Sequence, residues 1–190
     1  WMGLLEPLTC LKLQVRSRGP GLCFVQECLL DKTFPGILAD YSRMEWAGHL
    51  LALWLRVFPQ DQAGDGEAAF RLLRVALEGL DLGFDAAWVV SWCEAQLFLL
   101  LGLQPQLDSC VRCGAADLTA FSSRAGGGLC SLCGQQAETA LPPWLRAWMR
   151  FLHRASLKAA VGGRPRQEEV MAVRRLHEDW LHYHLPGRTA

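Results

Sequence analysis

Polar and apolar residues alternate over positions 8–16, with Leu11, Leu13 and Val15 set against Lys12, Gln14 and Arg16. A period of two puts these sets on opposite faces of a half-buried strand. Residues 17–21 (SRGPG) read as a turn and 22–30 are again strand-like, so the spacing predicts an opening β-hairpin. Two strands alone are marginal in water. Something must complete this sheet, and nothing later in the sequence offers a further strand for it.

After Phe34-Pro35-Gly36 the period changes to 3.6. Ser42 and Glu45 form the spacing of a capping box, and Ala47, Leu50, Leu51, Trp54 and Phe58 share one face of a first helix. A polar loop over 59–66 precedes a second helix with Ala69, Phe70, Leu73, Ala76, Leu77 and Leu80 inward and Arg71, Arg74 and Glu78 outward. Asp85 can cap a third helix that is apolar nearly all round from 86 to 101 and ends at Gly102 and Pro105. This is the predicted central buried helix, with Trp88 and Trp92 as core residues. Pro142-Pro143 opens one helix running to Gly162-Gly163, with Leu145, Trp148, Met149 and Leu152 inward. A last helix over about 168–185 turns Val170, Val173, Trp180 and Leu181 inward and pairs Arg174 with Glu178 and Arg175 with Asp179 on its outer face.

Composition narrows the class. Hydrophobic residues are 51% of the 190 and charged residues 20%, which excludes a disordered chain. The formal net charge is zero, so attraction to nucleic acid must come from local clusters. The most apolar stretch, residues 86–103, is interrupted by Ser91, Glu94 and Gln96 and reads as a buried helix, not a membrane span. No signal-peptide pattern opens the chain, so a secretory route is not expected. A first residue of Trp1 ahead of Met2 marks the amino terminus as expected to be incomplete.

Four of the eight cysteines form two pairs, Cys110-x-x-Cys113 and Cys130-x-x-Cys133. Zinc takes four thiolates tetrahedrally at about 2.3 Å, and each CxxC turn brings two sulfurs to one ion. The sixteen intervening residues suffice for two short strands and a return, and Gly114 and Gly134 relieve crowding behind each knuckle. The alternative, thioredoxin-like redox chemistry, needs a βαβ context that is absent. With four protein ligands the site is closed, so one structural Zn2+ is expected. Cys10, Cys23, Cys28 and Cys93 read as small core hydrophobes.

Arg146, Arg150, Arg154 and Lys158 recur every four residues with no acid between them, and Arg164 and Arg166 follow. On one helix they would form a stripe. It is either a solvated face favoured by the helix dipole or a row of phosphate contacts. Lys12, Arg16 and Arg18 make a second cluster at the hairpin. No Walker loop, GxSxG elbow or HExxH occurs, so no catalytic residue is assigned. His177, His182 and His184 near the end of the last helix read as solvated or dipole-interacting groups.

The segment EAQLFLLLGLQPQLDSCVRCG (94–114) resembles the centre of the bacterial recombination mediator family RecO, where a buried helix ends in Leu-Gly and leads through Pro to the first CxxCG. AFSSRAGGGLCSLCG (120–134) is similar to that family's second knuckle, LEPL (5–8) to the end of its OB domain and WLHYHL (180–185) to its terminal helix. The resemblance implies a mainly α fold with a small β part. Residues 1–36 would close an OB-fold domain begun upstream, and 37–190 would form a helical domain carrying the zinc knuckle at 106–134. It further implies a non-catalytic bacterial protein of the cytoplasm and nucleoid, with neither a membrane nor a small-molecule substrate as partner. Such a protein binds and anneals single- and double-stranded DNA, and with RecR loads RecA on DNA coated by single-stranded-DNA-binding protein. Arg71 and Arg74 are the candidates for that protein's C-terminal tail. The competing reading is a zinc-ribbon interaction scaffold that never touches DNA.

Overall fold

The computed structural model describes residues 5–17, 19, 23–58, 66–137 and 139–185. Strands β1 (Thr9–Ser17) and β2 (Cys23–Thr33) form an antiparallel hairpin that pairs Leu11 with Leu30, Leu13 with Cys28 and Val15 with Val25. That register puts these three pairs on one face, where Leu13, Val15, Val25 and Leu30 are exposed, while Phe24 and Leu29 are exposed on the other. Among the described residues no third strand joins this sheet. Cys28 is buried, but Cys23 is exposed and Cys10 only half-buried, which corrects the expectation of core thiols. The reason is that a two-stranded ribbon leaves most of its surface in water. Cys10 instead donates to Asp31 Oδ2 at 3.7 Å.

A short helix α1 (Pro35–Leu38) follows, then α2 (Tyr41–Val57) and α3 (Gly66–Asp81). Asp40 caps α2, its Oδ1 accepting from the Arg43 amide at 3.2 Å. The expected capping box is therefore displaced: an extended Asp one residue ahead of the helix already supplies the acceptor, and Ser42 and Glu45 lie inside the helix. Asp81 Oδ1 accepts from the amides of Gly36 (2.7 Å) and Ile37 (3.2 Å), joining α1 to the end of α3. A Cβ at Gly36 would sit 2.2 Å from the Asp81 carbonyl oxygen, so only glycine permits this approach.

Helix α4 (Ala86–Leu100) is the centre of the molecule, capped by Asp85 Oδ1 at 2.8 Å from the Trp88 amide. It ends in a Schellman pattern, with Gly102 at φ +67° and the Leu103 amide on the Phe98 carbonyl at 2.8 Å. Trp88, Trp92, Leu97 and Phe98 are all buried, as their pattern requires. No described helix is long and apolar enough to cross a membrane.

The helix expected over 142–162 is two helices, α5 (Pro143–Leu152) and α6 (Leu157–Gly162), after the small strands β3 (Ala120–Ser122), β4 (Gly127–Leu129) and β5 (Thr139–Ala140). Ser156 caps α6 by accepting from the Ala159 amide at 3.3 Å. Carbonyls freed at the break are taken by α4: Gln96 Nε2 donates to Leu152 O at 2.6 Å and the Trp92 indole to Ala155 O at 2.8 Å. The Trp88 indole donates to Ala160 O at 2.9 Å, near the end of α6. Periodicity continued across the gap because neither segment contains a strong breaker. The cations at 146, 150, 154 and 158 therefore do not form one helical stripe.

Helix α7 (Gln167–His184) packs Val170, Val173, Leu176, Trp180 and Leu181 inward. Arg174 and His177, expected at the surface, are 3% and 0% exposed. Both bind Glu94, itself fully buried on α4: Arg174 Nη1 donates to Oε2, and His177 Nδ1 lies 3.1 Å from the same oxygen. His49 of α2 reaches Oε1 at 3.0 Å. A buried carboxylate demands partners, and two of the three are supplied by the inner face of α7. Arg174 does also meet Glu178, at 3.1 Å, whereas no ion pair joins Arg175 to Asp179 among the described residues.

Burial pushes the Glu94 carboxyl up, but hydrogen bonds from His177 and His49 and the charge of Arg174 outweigh it and hold the group well below the ordinary carboxylate range. Glu94→Ala should cost about 3–5 kcal/mol in a urea-unfolding measurement, because the buried Arg174 loses its buried counter-charge and keeps only the exposed Glu178. A loss under about 1 kcal/mol would contradict this role.

His153, the C-cap of α5, is pushed down to about 4 by burial and by the charges of His177 and Arg154. Its unfolded form takes a proton near pH 6.5, the folded form only near 4. Stability should therefore be complete above about pH 6.5 and fall by about 3 kcal/mol on acidification to pH 4. His153→Gln should lose that part of the pH dependence in melting curves, and an unchanged profile would contradict the assignment.

Candidate metal centre and cationic surface

Each CxxC turn is closed by the same backbone bond, Gly114 N to Cys110 O and Gly134 N to Cys130 O, both 2.8 Å. Gly114 sits at φ +77°, a left-handed conformation that side-chain-bearing residues avoid. The glycine-rich return between the knuckles has a packing cause. Cβ atoms on Gly127 and Gly128 would approach the Gln106 carbonyl oxygen to 2.2 Å and Leu118 Cδ1 to 2.4 Å. Bare backbone there lets Gly128 N bond Gln106 O at 2.8 Å and Gly128 O receive the Val111 amide at 3.1 Å. Strands β3 and β4 pair as the spacing predicts, and β5 adds an unanticipated third strand to the sheet.

The four sulfurs of Cys110, Cys113, Cys130 and Cys133 lie within 4.8 Å of one another, with Cys113 and Cys130 at 3.6 Å. A tetrahedron with bonds of about 2.3 Å has edges of about 3.8 Å, so the cluster fits a metal ion with small adjustments. Amides from Cys130, Arg112 and Cys113 stabilise the Cys110 thiolate, lowering this thiol to about 6 against the opposing effect of burial. The Cys133 amide lowers Cys130 likewise. Crowding by the sulfurs of Cys113 and Cys130 pushes Cys133 up to about 12. Amide dipoles that favour thiolates, together with sulfurs too close to ionise independently, form a donor set that a divalent cation completes.

Arg146 fastens this unit to α5. Its guanidinium donates to the carbonyls of Leu107 (2.8 Å), Asp108 (2.9 Å) and Ala116 (3.1 Å). Arg150 pairs with Asp108 at 3.0 Å, an acid the local spacing did not reveal. Arg154 and Lys158 are exposed and have no ion pair among the described residues. At the hairpin, Lys12 meets Asp31 at 3.0 Å while keeping 75% of its side chain exposed. Arg16 is exposed and Arg18 lies outside the described residues. Arg71 meets Glu67 at 3.8 Å, and Arg74 meets Asp31 at 2.9 Å and Glu78 at 3.2 Å. Arg74 also borders an apolar cleft lined by Leu8, Phe34, Phe70 and Leu77.

The family model for the C-terminal region of recombination protein O matches residues 38–190. The chain belongs to the RecO family. The DNA repair protein RecO of Anaeromyxobacter sp. strain K is 31% identical over 144 residues, 74% of this chain and 56% of that protein. That of Exiguobacterium sp. strain AT1b is 35% identical over 112 residues, 58% and 44% of the two chains. The match to RecO of Anaeromyxobacter dehalogenans strain 2CP-C extends over 202 residues at 30% identity, 99% of this chain and 76% of the relative. The chain thus spans about half the length of the first two of these relatives.

In this RecO-family chain the sequence pattern located the four sulfurs and missed the buried Glu94, His49, Arg174 and His177 set. The available signal was Glu94 itself, an acid in the middle of an otherwise apolar helix. Also missed were two arginines beside the knuckles, Arg112 and Arg124, which belong to no periodic run.

Cys130→Ser should abolish stoichiometric metal binding and lower the melting temperature, since ligation contributes folding free energy directly. Elemental analysis of wild type and variant purified without chelator checks both statements. Wild type without metal, or a variant that melts like it, would contradict the assignment.

Proposed function

We propose that this RecO-family chain acts in recombinational DNA repair as a non-catalytic DNA-binding unit held together by one structural Zn2+. Family membership carries this reading, and the free cations at the α5–α6 break support it. Arg154 and Lys158, with Arg164 after α6, project from a chain of zero net charge without acidic partners among the described residues. Phosphate neutralisation is what such groups do. Lys12 and Arg16, and Arg18 beyond the described residues, extend the same role to the hairpin. Arg150 keeps the role while shared with Asp108, and Arg146 contributes chiefly by seating the knuckle. A tetrathiolate ion leaves no position for water or substrate, which supports binding over catalysis.

Annealing follows physically from the same contacts, since a protein that screens phosphates lowers the repulsion between complementary strands. The remaining partners come from the family reading: RecR, and the acidic tail of single-stranded-DNA-binding protein. For that tail the favoured place is the apolar cleft beside Arg74, with Arg71 further out on α3. The hairpin's open apolar face supports residues 1–36 as the end of a sheet domain, here an OB fold, with 37–190 as the helical domain.

Binding to a short labelled single strand, followed by anisotropy across salt, tests the proposal. Affinity should fall steeply with salt. Arg154→Ala/Lys158→Ala should flatten the log–log slope by about 1.4 on single strands and about 1.8 on duplex, for all sequences alike. Its melting temperature should be unchanged. Salt-insensitive or absent DNA binding would favour the interaction-scaffold reading instead.

A further inference from the structure

Arg112 lies within the first knuckle and Arg124 in the turn between β3 and β4, twelve positions on. Both line one concavity of about 440 Å³ between the two halves of the cysteine module. Ser122 and Gln136 add a hydroxyl and an amide to its wall, and no described carboxylate lines it. Arg112 is braced across the opening, its Nη1 donating to the Cys133 carbonyl at 3.3 Å. One such bond leaves most of the five guanidinium donors available. The turn that carries Arg124 is held by Ser122, whose Oγ accepts from the Ala125 amide at 3.3 Å and whose carbonyl accepts from Gly126 at 3.1 Å. Neither arginine has an ion pair among the described residues. Other described cations, Arg154 and Lys158 among them, also lack ion pairs, but Arg112 and Arg124 line one concavity together.

We propose that this concavity binds backbone phosphates of a DNA strand, with Arg112 and Arg124 as the contacting groups and Ser122 and Gln136 as neutral donors. Two guanidiniums converging from separate segments can each present paired N–H groups to phosphate oxygens. The contact is sequence-independent, and it places DNA on the cysteine module as well as on the helices. The inference rests on the DNA-binding reading above and adds a site to it. The ordinary alternative is that these arginines only offset the knuckle, because four thiolates around a divalent ion leave two negative charges uncompensated.

The experiment measures single-strand affinity across salt for the full chain with its metal, alongside metal content and melting. Arg124→Ala should lower affinity about fivefold at about 0.1 M salt and reduce the slope by about 0.7. Arg112→Ala/Arg124→Ala should lower affinity about 25-fold and reduce the slope by about 1.4, while Arg124→Lys keeps the wild-type slope. Arg112 touches the Cys133 carbonyl, so if the double variant loses metal or melts early, Arg124→Ala alone decides. Wild-type slope and affinity in Arg124→Ala would overturn the site, and weaker metal retention in that variant would then assign the arginines to the thiolates. A wild type without salt-dependent affinity would overturn the underlying DNA-binding reading and this site with it.

Discussion

A carboxylate buried at the centre of an apolar helix is the constraint that organises this molecule. Glu94 has no access to water, and an unpaired charge there would be prohibitively costly to keep folded. Arg174 and His177 approach it from α7 and His49 from α2, so one side chain ties three helices together. Buried ion pairs are not strong stabilisers relative to apolar packing, but breaking one is expensive, which makes them good at selecting a single arrangement. Here the choice fixes the rotation of α7 about its axis.

That rotation has consequences away from the charge. It points the Trp180 indole at the Leu103 carbonyl, 2.9 Å away, and sets its ring 5.5 Å from Phe121 of β3. The cysteine module is thereby seated on the same core as the helices, with Leu118, Phe121, Leu129 and Leu141 buried beneath it. Arg146 closes the opposite side through three carbonyls. Metal ligation would rigidify the outer tip of this unit while apolar packing holds its base. With metal bound, the knuckle would be a stiff platform for the cations it displays.

Much of this was legible in the sequence because the signals were local. Asp85 and Gly102 bound α4, alternation at 8–16 marks a strand, and two CxxC pairs state their chemistry by spacing alone. What escaped depends on contacts between distant segments. The break between α5 and α6 is stabilised by Gln96 and Trp92, which lie more than fifty residues earlier. Arg174 and His177 read as surface groups because periodicity counts apolar residues only, whereas the buried Glu94 required hydrogen-bonding partners at those positions. Asp108 neutralises Arg150 across a turn that no helical spacing connects. The site was visible where a motif carried it and invisible where the fold assembled it.

The shared core makes the cysteine module and α4 a single cooperative unit, a frame for the exposed cations. Native-state hydrogen exchange on the metal-bound chain tests it most directly. The amides of Thr119, Gly128 and Leu141, which bond to Leu129, Gln106 and Thr119, should exchange with the same free energy and denaturant dependence as the α4 amides. Exchange of the module amides through a low-energy local opening, with α4 still protected, would contradict the claim and make the knuckle an independent appendage.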